Sequence, residues 1–135
     1  MQHGTTSVFE HSLAVTAQAT LIAQALRIPV AERELVRGSL LHDYFLYDWH
    51  VGDPSHRLHG FRHPGFACAN AERDFGINDI ERDMIRHHMF PLTPVPPTCR
   101  EGAILCIADK VVATRETVSG IALRLFRPVR TPGRD

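Results

Sequence analysis

The chain has 135 residues, enough for one domain with a core of its own. Fifteen Lys and Arg balance fifteen Asp and Glu, so the formal net charge is zero and the basic footprint of a general nucleic-acid binder is missing. Apolar residues make up 44% and charged residues 22%, ordinary values for a soluble globular protein, and no apolar run reaches the roughly 18–20 residues needed to span a bilayer.

Ser7 and Glu10 form an S-x-x-E capping box. Leu13, Ala14, Ala17, Leu21 and Ala25 follow at helical spacing, which predicts a helix over 8–27 with His11 and Val15 on one inward face. Pro29 suits the entry to a second helix, about 30–46, whose stripe of Leu35, Val36, Leu40 and Leu41 leads into His42-Asp43. Residues 47–62 are rich in Gly, Pro and His and aperiodic, so a long loop is expected there. His63-Pro64 opens a predicted third helix, 64–75, closed by Gly76. Asn78 with Glu81 caps a fourth, 79–89, with His87-His88 in its last turn. PLTPVPPT at 91–98 is a connector that proline keeps from being helical. Thr98 with Glu101 reads as a third capping box, starting a buried helix of about 99–118, and 119–126 adds a further turn or two. No alternating strand pattern occurs. The expectation is an all-α, compact single-domain bundle of five to six helices, spanning 1–126, followed by a flexible basic tail, 127–135.

Nine histidines are far more than a domain of this size usually carries. They form neither a tag nor a tract. His11, His42-Asp43, His63, His87-His88 and Asp109 are separated by about one helix plus one loop each. That spacing suggests separate helices converging on one central metal site, as in helical metal proteins. Imidazole and carboxylate together suit a divalent transition metal, and a carboxylate has two oxygens with which to bridge two ions. Asp109 is the most telling member. It sits among Ile107, Ala108, Val111 and Val112, where a carboxylate is costly to bury unless a cation compensates it. Candidate cations for gripping a substrate are Arg57, Arg62, Lys110 and the loop histidines His50, His56 and His59; Tyr47, Asp48 and Trp49 could line a pocket, and Gln2 and His3 could support the site. Lys110 follows Asp109 directly and so points about 100° away from it. Cys68, Cys99 and Cys106 have no C-x-x-C spacing, and MQHGTTSVFEH has no secretory pattern; both suggest free thiols in a cytoplasmic setting.

The order H…HD…H…H(H)…D, over about 5–115, resembles the HD-domain superfamily of metal-dependent phosphohydrolases. EHSLAVTAQATLIAQAL, GSLLHDYFLYDWH, HGFRHPGFACANAERDFG, IRHHMFPLTPVPP and ILCIADKVVATRE are also similar to a compact bacterial subgroup of predicted hydrolases. The resemblance implies one ion held by His11, His42, Asp43 and Asp109, and a second held by Asp43 as bridge with His63 and His88. His87 is then an occasional ligand, a supporting group or a proton donor near the leaving oxygen. The implied chemistry is hydrolysis of a small phosphorylated or nucleotide-like molecule by a metal-activated water, with Asp43 and His42 as the catalytic pair. The ligand set suits iron, manganese, nickel, cobalt or zinc. The HD-x-G-K and GYP signatures of the cyclic-di-nucleotide phosphodiesterases are replaced by Tyr44-Phe45-Leu46 and Met89-Phe90-Pro91. A few superfamily members use the same ligands to activate oxygen, so a di-iron oxygenase is the rival enzyme. A non-catalytic binding or signalling domain is the rival outside enzymes, although such relatives typically lose ligands that this chain keeps.

Overall fold

The computed structural model describes residues 7–44 and 59–125. Among them it is all-helical, with five helices in chain order: α1 (Val8–Ala25), α2 (Glu32–Leu41), α3 (His59–Phe75), α4 (Asp79–His87) and α5 (Arg100–Leu125). α1 packs against α2 and α5, α2 also against α4, and α4 against both α3 and α5. Gln2, His3, Tyr47, Asp48, Trp49, His50, His56, Arg57 and the tail 127–135 lie outside the described residues.

Two boundaries carry the expected capping chemistry. Ser7 Oγ accepts from Glu10 N while the Glu10 carboxylate accepts from Ser7 N. Asn78 and Glu81 repeat the exchange at the start of α4. α1 stops at Ala25 because Arg27 takes the left-handed backbone conformation, φ 50°, and Pro29 follows. α2 is shorter than the apolar stripe suggests: it ends at Leu41, and His42 is its C-cap.

Two expectations need correction. α3 begins at His59, not Pro64, so His59 and Arg62 stand on a helix and not in a loop; Pro64 is accommodated inside the helix. The segment 119–126 adds helix as expected, as a continuation of α5, which runs on to Leu125. Thr114 and Thr117 donate their hydroxyls to Lys110 O and Ala113 O one turn back. Finally, Glu101 does not box with Thr98. Its carboxylate accepts at 2.8 Å from Ala31 N, the N-cap residue of α2, which otherwise has no side-chain cap. The start of α5 is capped by Cys99, whose Sγ accepts from Gly102 N.

The core has two parts. Val15, Ala19 and Ala23 of α1 meet Leu35, Met84, Ile104, Leu105, Ala108 and Val112. Ala67, Cys68 and Ala71 of α3 meet Ile77 and Ile85, with Leu41 and Tyr44 against them. α2 and α4 approach closely at Gly38, where a β-carbon would stand 2.5 Å from Met84 Sδ. Beside that crossing, Arg37 donates to the fully buried Glu81 at 3.0 Å. The three cysteines are free, and no helix among the described residues is long and apolar enough to cross a membrane.

Candidate metal centre

Every helix sends a polar side chain to one buried cluster. His11 comes from α1, His42 and Asp43 from the end of α2, His63 from α3, His88 from the C-cap of α4 and Asp109 from α5. All six are at most 8% exposed, and His11, His42 and His88 are fully buried. Burying so much polarity is unfavourable unless the groups satisfy one another or an ion.

Asp43 organises the cluster. Its Oδ1 lies 3.0 Å from His63 Nε2 and 3.4 Å from His88 Nε2. Its Oδ2 lies 3.4 Å from His42 Nε2 and 3.8 Å from His11 Nε2. Asp109 joins only the second half, with Oδ1 at 2.9 Å from His11 Nε2 and 3.5 Å from His42 Nε2. The two oxygens of Asp43 therefore face two different pairs of imidazoles.

The far side of three rings is fixed. His42 Nδ1 donates to Ser39 O and His88 Nδ1 to Ile85 O, both at 2.7 Å. A carbonyl only accepts, so Nδ1 carries the proton and the neutral ring turns its Nε2 lone pair inward. His11 Nδ1 donates to the Glu116 carboxylate at 2.9 Å, with the same result. This is the arrangement that metal-bound histidines require.

The cluster passes a fit test for a cation on its own geometry. His42 Nε2 is buried and makes no hydrogen bond among the described residues. His63 Nε2 and His88 Nε2 are 2.8 Å apart, although the ring fixed by Ile85 O offers a lone pair at that point. His11, His42 and Asp109 form one group, and His42, Asp43 and His88 another, whose ligand atoms lie within 4.8 Å of one another. Either group could hold a divalent ion.

Without ions, protons take their place. Burial by itself would push His42 down, but Asp43 and Asp109 together push it up to about 9. His11 is also raised: burial opposes it, and the hydrogen bond and charge of Asp109 prevail. For Asp43 and Asp109 burial works against the charged form, yet the surrounding imidazoles hold both well below the usual carboxylate range. His88 is lowered, chiefly by burial.

Among the remaining candidates, His87 donates Nδ1–H to Asp83 at 2.9 Å. Lys110 donates to His88 O and Cys106 O at 3.3 Å, so its ammonium braces the main chain behind His88. Arg62 is exposed on α3 next to His63, and His59 lies in the first turn of that helix. A cavity of about 390 Å³ opens beside His88, between Phe90, Pro91, Pro96 and Pro97 of the connector and Ala103, Cys106, Ile107 and Lys110 of α5.

Two residues escaped the sequence reading. Glu116 could have been found, because it sits seven positions after Asp109 and so on the same face of α5. Asp83 gave no such signal. Its carboxylate accepts from His87, from Thr98 N and Oγ1, and from Cys99 N and Sγ. Burial opposes its charge, but these donors hold it at about 2; burial and the same carboxylate push the Cys99 thiol to about 12, so it stays a donor.

No curated protein and no solved structure matches this chain. The HD-domain family model matches residues 8–114. That span covers most of the chain and contains all six clustered residues, and the protein belongs to the HD-domain family.

Proposed function

We propose that this protein is a metal-dependent phosphohydrolase that cleaves a phosphoester of a small phosphorylated or nucleotide-like molecule. The observation that carries the proposal is the division of labour at Asp43, whose Oδ1 faces His63 and His88 while Oδ2 faces His11 and His42. One carboxylate with two differently served oxygens fits a pair of divalent ions, and the HD-domain family is one of metal-dependent phosphohydrolases. Bound ions would supply a water nucleophile active near neutral pH and would offset charge gathering on the phosphoryl oxygens.

The chain's own residues do the rest. His11, His42, Asp43 and Asp109 hold one ion, and Asp43, His63 and His88 the other. Ser39 O, Ile85 O and Glu116 keep three of the rings turned inward. The packed helices exclude bulk water from the site, which strengthens every charge interaction within it. Arg62, exposed on α3 next to His63, is the cation we assign to attracting an anionic substrate. The apolar cavity walled by Phe90, Pro91 and Pro97 suits its organic part. His87, held by Asp83 on the adjoining turn, is a candidate proton donor to the leaving oxygen.

The same paired, imidazole-rich arrangement also suits two iron ions, which keeps a di-iron oxygenase as the second reading. Protein purified without chelators decides between them. Elemental analysis should find about two ions per chain, and a panel of phosphomonoesters and nucleotides should release phosphate with iron, manganese, nickel, cobalt or zinc. Failure with every metal, combined with substrate-dependent oxygen uptake by the iron form, would replace the hydrolase with the oxygenase.

A further inference from the structure

Three imidazoles in the cluster are oriented from behind, but not by equivalent partners. His42 and His88 each donate Nδ1–H to a neutral main-chain carbonyl at 2.7 Å. His11 donates to a carboxylate, Glu116 Oε2, at 2.9 Å. His11 is fully buried, and the Glu116 side chain is 12% exposed. An anion behind an imidazole makes its other nitrogen a stronger donor to a metal than a carbonyl does. The half of the cluster that contains His11 also has Asp109, while the His63–His88 half faces the other oxygen of Asp43. Glu116 lies beyond residue 114, where the match to the family ends. Glu116 stands two helical turns beyond Asp109 on α5, on the same face, which brings its carboxylate behind the His11 ring.

The geometry points to Glu116 as a positioning residue that makes the His11–His42–Asp109 half the tight subsite, filled before the His63–His88 half. The inference rests on the two-ion reading above. It makes the two subsites unequal by design: one ion is resident, and the other comes and goes more freely.

The test titrates zinc into the full-length chain after chelator treatment, using wild type, Glu116→Gln and Glu116→Ala. Wild type should bind in two steps. Glu116→Ala should weaken the tighter step by about 10- to 100-fold and leave the second unchanged. Glu116→Gln keeps an acceptor for Nδ1–H but removes the charge, so its loss should be smaller. Nitrogen-15 NMR of the zinc-loaded protein supplies a readout that folding alone does not move. The His11 Nδ1 proton should be protected and far downfield in wild type, shifted in the Gln variant and lost to exchange in the Ala variant. If Glu116→Ala leaves the tighter step intact, or weakens both steps equally, the positioning role is overturned and the two-ion reading survives. If wild type takes up no zinc, the two-ion reading itself falls, before any variant is compared.

Discussion

Removing metal should make this protein sensitive to alkali. In the ion-free cluster His42 stands at about 9, because Asp43 and Asp109 outweigh the burial that opposes its charge. An unfolded histidine titrates near 6.5. A group whose pKa rises on folding stabilises the fold fully below its unfolded pKa and loses that contribution as pH climbs through the folded one. For His42 the window is therefore pH 6.5 to about 9. At about 1.4 kcal/mol for each pH unit, the loss amounts to about 3 kcal/mol. His11 is raised too and adds to the decline in the same direction. His88 is lowered, so its contribution is complete above pH 6.5 and fades below it; it steepens the acid side and leaves the alkaline side to the other two. For a chain of this length about 3 kcal/mol is worth roughly 10 °C in melting temperature. The assay is a set of melts from pH 6.5 to 9.5, with excess chelator and confirmed metal loss, beside melts with saturating metal. The chelated protein should lose about 10 °C across the range, while the loaded protein holds, because its ligand nitrogens are already deprotonated and occupied. A chelated protein whose melting temperature is flat or rising over that range would refute the view that protons on His42 and His11 substitute for ions.

Asp43→Ala should strip bound metal more completely than any other single substitution, because both halves of the cluster lose an oxygen; two ions retained by elemental analysis would sink the bridging role. His88→Ala should lose one ion per chain, whereas His87→Ala should keep both and alter the pH profile of phosphate release, since its ring is tied to Asp83 and not to the cluster. The reverse result would mean that the last turn of α4 is rotated by a residue. Away from the site, Gly38→Ala forces a methyl against Met84, itself fully buried, and should cost about 1–3 kcal/mol in urea unfolding with little change in metal content. Leu105→Ala, at a fully buried position of the same core, should cost about 2–5 kcal/mol.

What the sequence makes legible here is what physics makes unfavourable. A carboxylate at Asp109 within an apolar helical run can be read without a structure, since it has to be answered by a cation. The capping boxes at Ser7 and Asn78 are legible because their donors and acceptors are local. Interactions that join distant segments leave no such mark. Glu101 looked like the local partner of Thr98, but its oxygen goes to Ala31, seventy positions earlier. The first turn of α3 reads as loop because HGFRHP carries Gly and Pro and no apolar period, so neither spacing nor propensity marks the helix that forms there. Arg62 and His59 were consequently assigned to a loop. Of the donors to Asp83 only His87, four positions on, is local; Thr98 and Cys99 reach it from the far end of the connector and leave no mark in the sequence.

That last contact bears on how this protein can change. The connector between α4 and α5 is held at both ends by residues outside itself. At its start, His88 O takes bonds from Cys106 and Lys110; at its finish, the Asp83 carboxylate grips Thr98 and Cys99. Between these two moorings, Phe90, Pro91, Pro96 and Pro97 form one wall of the cavity. They can be exchanged as a unit, altering the shape presented to a ligand, while His88 and Asp109 keep their places. The clustered ligand positions and this apolar wall are thus carried by different parts of the chain, so the wall can vary without moving the cluster.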